Sequence, residues 1–196
     1  MQPIEHCTAV ILTGGESSRM GSDKARVLWA GTPLLEHVIG AIEPLFSDIW
    51  ISVREKRANL LYPQVVDRAQ ERGPMVGIKA ALEAVQTDWV FVIACDMPFI
   101  STRLIQHLAT LRNQHDAVVP FAFDRLQPLF GFYHTRCLPL MDARMKQGQR
   151  SMMRLLDALD THILREQEVR RIDPELRSFI SLDCMEDVRK MECLNE

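Results

Sequence analysis

At 196 residues, with 47% hydrophobic and 25% charged side chains, the chain has the length and balance of one soluble domain with a substantial core. A formal net charge of -3 gives no overall attraction for nucleic acid or anionic lipid, so a polyanionic ligand needs its own local cluster of donors. No apolar run approaches the roughly 20 residues that span a bilayer. Met1–His6 lacks the basic-then-apolar pattern of a signal peptide, so the expected setting is cytoplasmic, with neither nucleic acid nor membrane as partner.

In chain order, Thr8–Leu12 is a continuous apolar run, the mark of a strand buried on both faces of a parallel sheet. A Gly/Ser-rich turn follows from Thr13 to Ser22. Thr32 and Pro33 read as the N-cap and first residue of a helix, and Leu34, Leu35, Val38, Ile39 and Ile42 give it one apolar stripe. Ile49–Val53 and the short Gln64–Val66 read as a second and a third strand, and Gly73-Pro74 opens a helix over Val76–Val85. Trp89–Ala94 is the clearest buried strand, and Ser101 caps a helix carrying Leu104, Ile105, Leu108 and Leu111.

Beyond that point the pattern is less regular. Ala117–Pro120 and Pro128–His134 read as strands of opposite direction joined through Asp124-Arg125, and Cys137–Lys146 and Ser151–Leu159 as helices. Phe179–Leu182 reads as a last strand before a helix near Glu186–Met191. The alternation predicts an α/β, Rossmann-like fold: one doubly wound, mostly parallel sheet with helices on both faces and one antiparallel strand. The five cysteines (Cys7, Cys95, Cys137, Cys184, Cys193) are odd in number, widely spaced and without a CxxC pair, which argues against disulfides and zinc.

In open α/β sheets, ligands bind beyond the carboxyl ends of the strands. Here those ends read Thr13-Gly14-Gly15, then Ser52 and Arg54, then Asp67-Arg68, then Cys95-Asp96, all polar. The glycines of the first turn let backbone N–H groups approach phosphate oxygens, and Arg19 and Lys24 add a guanidinium fork and a point charge suited to a triphosphate. The turn is not a Walker A loop, since five residues separate Gly15 from Gly21 and no lysine follows Gly21, and it is not a GxGxxG fingerprint. The bland alternative is a turn carrying solvated charges. Asp96, at the end of a wholly apolar strand, suits a Mg²⁺ ion bridging phosphate oxygens, against the plainer role of a turn or cap former.

The first turn, Gly73-Pro74-Met75-Val76-Gly77-Ile78 and Cys95-Asp96-Met97-Pro98 together resemble the molybdenum cofactor guanylyltransferases, of the nucleotide-diphosphosugar-transferase-like fold. Gln127–Tyr133 and Gly148–Ser151 resemble later family segments more weakly. The resemblance implies one domain over 1–196, with a nucleotide-binding half (1–100) and an acceptor-binding half (101–196). It implies GTP contacts from Leu12, Thr13, Gly14 and Gly15, phosphate binding by Lys24 and Arg19, and a nucleotide site that includes Ser52, Asp67 and Gly77. Asp96 would hold Mg²⁺, with Asp183 as a second oxygen ligand. GTP and molybdenum-molybdopterin are the implied substrates, with upstream cofactor-synthesis proteins and acceptor molybdoenzymes as further partners.

Two positions and one segment depart from the family. Ser52 stands where asparagine is frequent, Thr13 where alanine is common, and Ser181-Leu182-Asp183-Cys184-Met185-Glu186 replaces an Asn-x-Asn-Thr-Pro-Glu pattern. The implied reaction is an in-line attack of a molybdopterin phosphate oxygen on the α-phosphorus of GTP. It needs positioning and charge neutralisation rather than a protein nucleophile, so Cys95 reads as a small buried neighbour. The scattered histidines and the Arg165–Arg171 segment, with its interleaved glutamates, read as surface or packing groups. The competing expectations are a cytidylyltransferase or sugar-1-phosphate nucleotidyltransferase of the same fold, and a catalytically idle carrier of GTP or cofactor.

Overall fold

The computed structural model describes residues 3–13, 25, 27–58, 60–66, 73–182 and 187. Among them the elements follow in this order: β1 (Cys7–Leu12), β2 (Leu28–Trp29), β3 (Thr32–Pro33), α1 (Leu34–Ile42), β4 (Ile49–Val53), β5 (Gln64–Val66), α2 (Pro74–Ala84), β6 (Trp89–Ala94) and α3 (Thr102–Thr110). After them come β7 (Ala117–Ala122), β8 (Arg125–Leu126), β9 (Phe130–His134), α4 (Leu138–Lys146), α5 (Met152–Ala158), β10 (Thr161–Leu164) and α6 (Glu166–Val169).

The main sheet runs β10-β7-β9-β6-β1-β4-β5, with β8 paired to β7. β1 is parallel to β4 and β6, β4 to β5, and β7 to β10, while β9 is antiparallel to both its neighbours, β6 and β7. This is the mostly parallel, doubly wound sheet with one antiparallel strand that the alternation of elements predicts. The continuous apolar runs of β1 and β6 are buried at every residue, as strands covered on both faces must be.

The two-residue period of the strands sorts their side chains into two cores. On one face Ala9, Ile11, Phe91, Ile93, Phe130 and Phe132 meet α1 and α3, with Phe91 stacked on Phe46 at 5.3 Å and edge-on to Phe130 at 5.5 Å. On the other face Val10, Leu12, Val90, Val92 and Tyr133 meet α2, α4 and α5. No helix among the described residues is long and apolar enough to cross a membrane.

Three local expectations are corrected, and one strand appears where none was expected. Thr32 does not cap α1: it pairs with Trp29 in a small hairpin whose turn, Ala30-Gly31, has positive φ at both residues, and the cap position falls to Pro33. The turn after β7 is Phe123-Asp124, again with positive φ at both residues, and it leads into β8 rather than straight into β9. Thr161–Leu164, too short and too exposed to show an apolar run, forms the edge strand β10. Phe179–Leu182 is not a strand; it leaves a 3-10 turn at Arg177–Phe179 and runs to the Asp96 turn. The expected helix at 186–191 lies outside the described residues apart from Asp187.

Candidate active site

Register decides which strand ends meet. Leu12 stands opposite both Ser52 and Ala94, and Ser52 opposite Val65, so β1, β4, β5 and β6 all end level on one edge. Because β9 runs the other way, its beginning reaches that same edge, and the Ala94 N–H donates to the Leu129 carbonyl at 3.2 Å.

Thr13 is 7% exposed, and both its N–H (3.2 Å) and its Oγ1 (2.7 Å) donate to the Ser52 carbonyl. The hydroxyl that sets this position apart from the usual alanine is therefore spent inside the protein, fastening the entry of the glycine turn to β4. On the other side the Cys95 N–H donates to the Leu12 carbonyl at 3.1 Å, which fixes the start of the Asp96 turn against β1.

Gly77 lies in the first turns of α2, and a Cβ there would stand 3.2 Å from Leu12 Cδ2 and 3.4 Å from Ser52 Oγ. Its missing side chain lets α2 approach the sheet edge closely. Leu12, Thr13, Ser52, Gly77 and the Asp96 turn are thus gathered on one edge. Gly14, Gly15, Arg19, Lys24, Asp67 and Asp183 lie outside the described residues. In the chain they follow Thr13, Val66 and Leu182.

The C-terminal arm contributes contacts that spacing alone did not reveal. The Leu182 N–H donates to the Asp96 carbonyl at 2.9 Å, and the Ser101 N–H donates to Ser178 Oγ at 2.9 Å. Asp173, nearly buried, accepts from the N–H groups of Arg177 (3.1 Å) and Ser178 (2.9 Å). No sequence signal marks Ser178, since its partner is 77 residues away.

Asp96 is half-buried among buried neighbours, Cys95, Met97 and Pro98. Among the described residues no group of three or more His, Cys, Asp or Glu side chains could hold a metal, so these residues alone form no all-protein cage. A hard carboxylate at this sheet edge is the donor type suited to an ion such as Mg²⁺, which takes most of its ligands from substrate phosphates and water.

Cys7, Cys95, Cys137, His115, His134 and His162 stay out of this chemistry. Burial pushes the Cys7 and Cys137 thiols up to about 12, and Cys95 is buried as well. Because the thiolate forms only far above neutrality, Cys7 and Cys137 are expected to resist iodoacetamide equally from pH 7 to pH 9 in the folded protein. Peptide mapping by mass spectrometry checks this; labelling of either residue that rises with pH in that interval would contradict the burial. His115, His134 and His162 lie at the opposite, amino edge of the sheet, where His115 pairs with Asp160 at 3.1 Å. Arg170 pairs with Glu166 at 2.8 Å on the surface, the solvated face expected for that charged segment.

The model of the MobA-like NTP transferase domain matches residues 9–163. The chain belongs to that family. It is 34% identical over 167 residues to a probable molybdenum cofactor guanylyltransferase of Flavobacterium johnsoniae, covering 84% of this chain and 88% of that protein. It is 30% identical over 193 residues to the molybdenum cofactor guanylyltransferase of Desulfosudis oleivorans, covering 96% of each. Among solved structures, molybdopterin-guanine dinucleotide biosynthesis protein A from Archaeoglobus fulgidus superposes with a TM-score of 0.83 over 96% of this chain and 100% of that one, at 24% identity. A 4-diphosphocytidyl-2C-methyl-D-erythritol synthase from Anaerococcus prevotii shares the fold at a TM-score of 0.71, 12% identity and 96% and 95% coverage. This MobA-like protein is therefore a nucleotidyltransferase, and its fold alone does not select the base, since the same architecture serves a diphosphocytidyl enzyme.

Proposed function

We propose that the protein transfers GMP from GTP to molybdenum-molybdopterin and releases pyrophosphate. The observation that supports this most directly is the gathering of the glycine-turn entry, Ser52, the Asp96 turn and the C-terminal arm on one sheet edge. It occurs in a chain whose nearly full-length relatives bear the guanylyltransferase name.

In this reading a terminal phosphate oxygen of molybdopterin attacks the α-phosphorus of GTP. A new P–O bond forms, the bond from the α-phosphorus to the α,β-bridging oxygen breaks, and pyrophosphate carries the electron pair away. The nucleophile is already anionic, so the protein need not remove a proton; its task is alignment and charge neutralisation. Gly14, Gly15, Lys24 and Arg19 would cradle the phosphates, with Leu12, Thr13, Ser52, Asp67 and Gly77 on the nucleoside side. Asp96, aided by Asp183, would hold Mg²⁺. When bound, the ion would offset charge accumulating on the α- and β-phosphates. The buried thiols Cys7, Cys95 and Cys137 accord with a reducing, cytoplasmic setting.

The test is pyrophosphate release from GTP, CTP and ATP in parallel, with Mg²⁺ and molybdenum-loaded molybdopterin. Release with GTP alone is the expected result. Release with CTP alone would move the protein to the cytidylyl reaction, and GTP binding without release from any nucleotide would make it a carrier.

A further inference from the structure

Outside the two cores that cover the sheet faces lies a third, small apolar cluster. Val27, Leu34 and Leu182 are buried in it, with Trp29 and Phe99 packed against them. Each member comes from a different part of the candidate site: Val27 from the exit of the glycine turn, Trp29 and Leu34 from the hairpin and α1, Phe99 from the Asp96 turn, and Leu182 from the C-terminal arm. Trp29 meets Phe99 edge-on with ring centroids 4.8 Å apart, and the Arg177 guanidinium lies over the Phe99 ring at 5.4 Å.

The same arm grips the Asp96 turn through hydrogen bonds at two points, Leu182 to the Asp96 carbonyl and the Ser101 N–H to Ser178 Oγ. Ser178 is fully buried, and its hydroxyl is aligned because its own N–H is fixed by the Asp173 carboxylate. The turn from 96 to 101 is thus clamped at both ends by a segment some eighty residues away, while Phe99 at its middle is held between an indole and a guanidinium.

We propose that the arm from Asp173 to Leu182 is the positioning element of the Asp96 turn, with Ser178 and Phe99 as positioning residues that set the carboxylate for its divalent cation. The inference rests on the nucleotidyltransfer reading of this edge. Neither side chain touches substrate in this scheme; each acts by holding the turn. An ion that takes few of its ligands from protein depends on the placing of each one, so small losses of alignment appear as lost metal affinity.

The experiment is a titration of Mn²⁺ with GTP present, following free Mn²⁺ by electron paramagnetic resonance and subtracting the Mn²⁺ held by the same GTP without protein, for the wild type, Ser178→Ala, Phe99→Leu and a control, Thr8→Val. Thr8 is fully buried on β1 at the far edge, where its hydroxyl bonds Asp48 and Thr87, so its loss also removes a buried hydrogen bond. Ser178→Ala is expected to weaken Mn²⁺ about tenfold while GTP binding without metal stays within about twofold, as expected for a lost contact worth one factor of ten. Thr8→Val is expected to leave Mn²⁺ affinity unchanged even where its melting temperature falls as far. Equal Mn²⁺ affinity in Ser178→Ala and the wild type, or equal weakening in Thr8→Val, would overturn the proposal. If Ser178→Ala does not fold, Phe99→Leu decides by the same criterion. A wild-type protein that takes up no Mn²⁺ with GTP would sink the nucleotidyltransfer reading itself, and this inference with it.

Discussion

Asp96→Ala is expected to lower pyrophosphate release by about a hundredfold, the scale on which losing a preorganised electrostatic contact to the reacting phosphates falls. GTP binding should survive, because the phosphate donors proposed on the glycine turn are untouched. The fold should survive as well. Asp96 is half-buried, and the Leu182 bond that anchors its turn goes to the backbone carbonyl, which alanine keeps. The melting temperature is expected to fall by less than about 8 °C, since the change removes one half-buried side chain together with its contact, in line with about 2 kcal/mol or less. Single-turnover pyrophosphate release at saturating GTP, beside a thermal melt, checks both halves. Turnover within threefold of wild type would remove Asp96 from the chemistry. A collapse of the melt with turnover would make it a structural residue.

Gly131→Ala is expected to be the most damaging single-methyl change in the sheet. Gly131 lies on β9, the strand held on both sides by β6 and β7, and pairs with Val92. A Cβ at this position would stand 2.7 Å from the Val118 carbonyl oxygen and 2.8 Å from Val119 Cγ1, both closer than real Cβ atoms come. The nearer obstacle is backbone, and the ladders on either side prevent β9 from moving away. Overpacking of this kind costs about 3 kcal/mol, and at this chain length that corresponds to a melting temperature lower by roughly 6–12 °C. Differential scanning calorimetry reads it directly; a fall of less than 2 °C would show that the strands yield more easily than their pairing suggests. The damage should travel to the site, because β9 begins beside the Asp96 turn, where Leu129 accepts from Ala94.

Read alone, the amino-acid sequence determined the elements whose order is written in contiguous residues. The wholly apolar runs of β1 and β6, the short strands Ile49–Val53 and Gln64–Val66, the Ser101 cap of α3 and the reversed direction of β9 relative to β7 all follow from local pattern: burial on two faces demands unbroken apolar residues, a serine hydroxyl caps a helix, and a short polar connection turns the chain back. The polar strand ends followed from the same pattern, and with them the choice of Thr13, Ser52 and Asp96 as site residues. Tertiary structure decided what those residues do. Thr13 turned out to fasten the glycine turn to β4, Gly77 to let α2 close on Leu12 and Ser52, and the chain near Leu182 to clamp the Asp96 turn rather than extend the sheet. Edge strand β10 and the Ala30-Gly31 hairpin also emerged only in three dimensions, since neither carries an apolar period long enough to read. The physical reason is range. Strand and helix periods arise between neighbours a few residues apart, whereas the bonds from Ser101 to Ser178 and from Leu182 to Asp96 join groups that only the folded register brings within 3 Å.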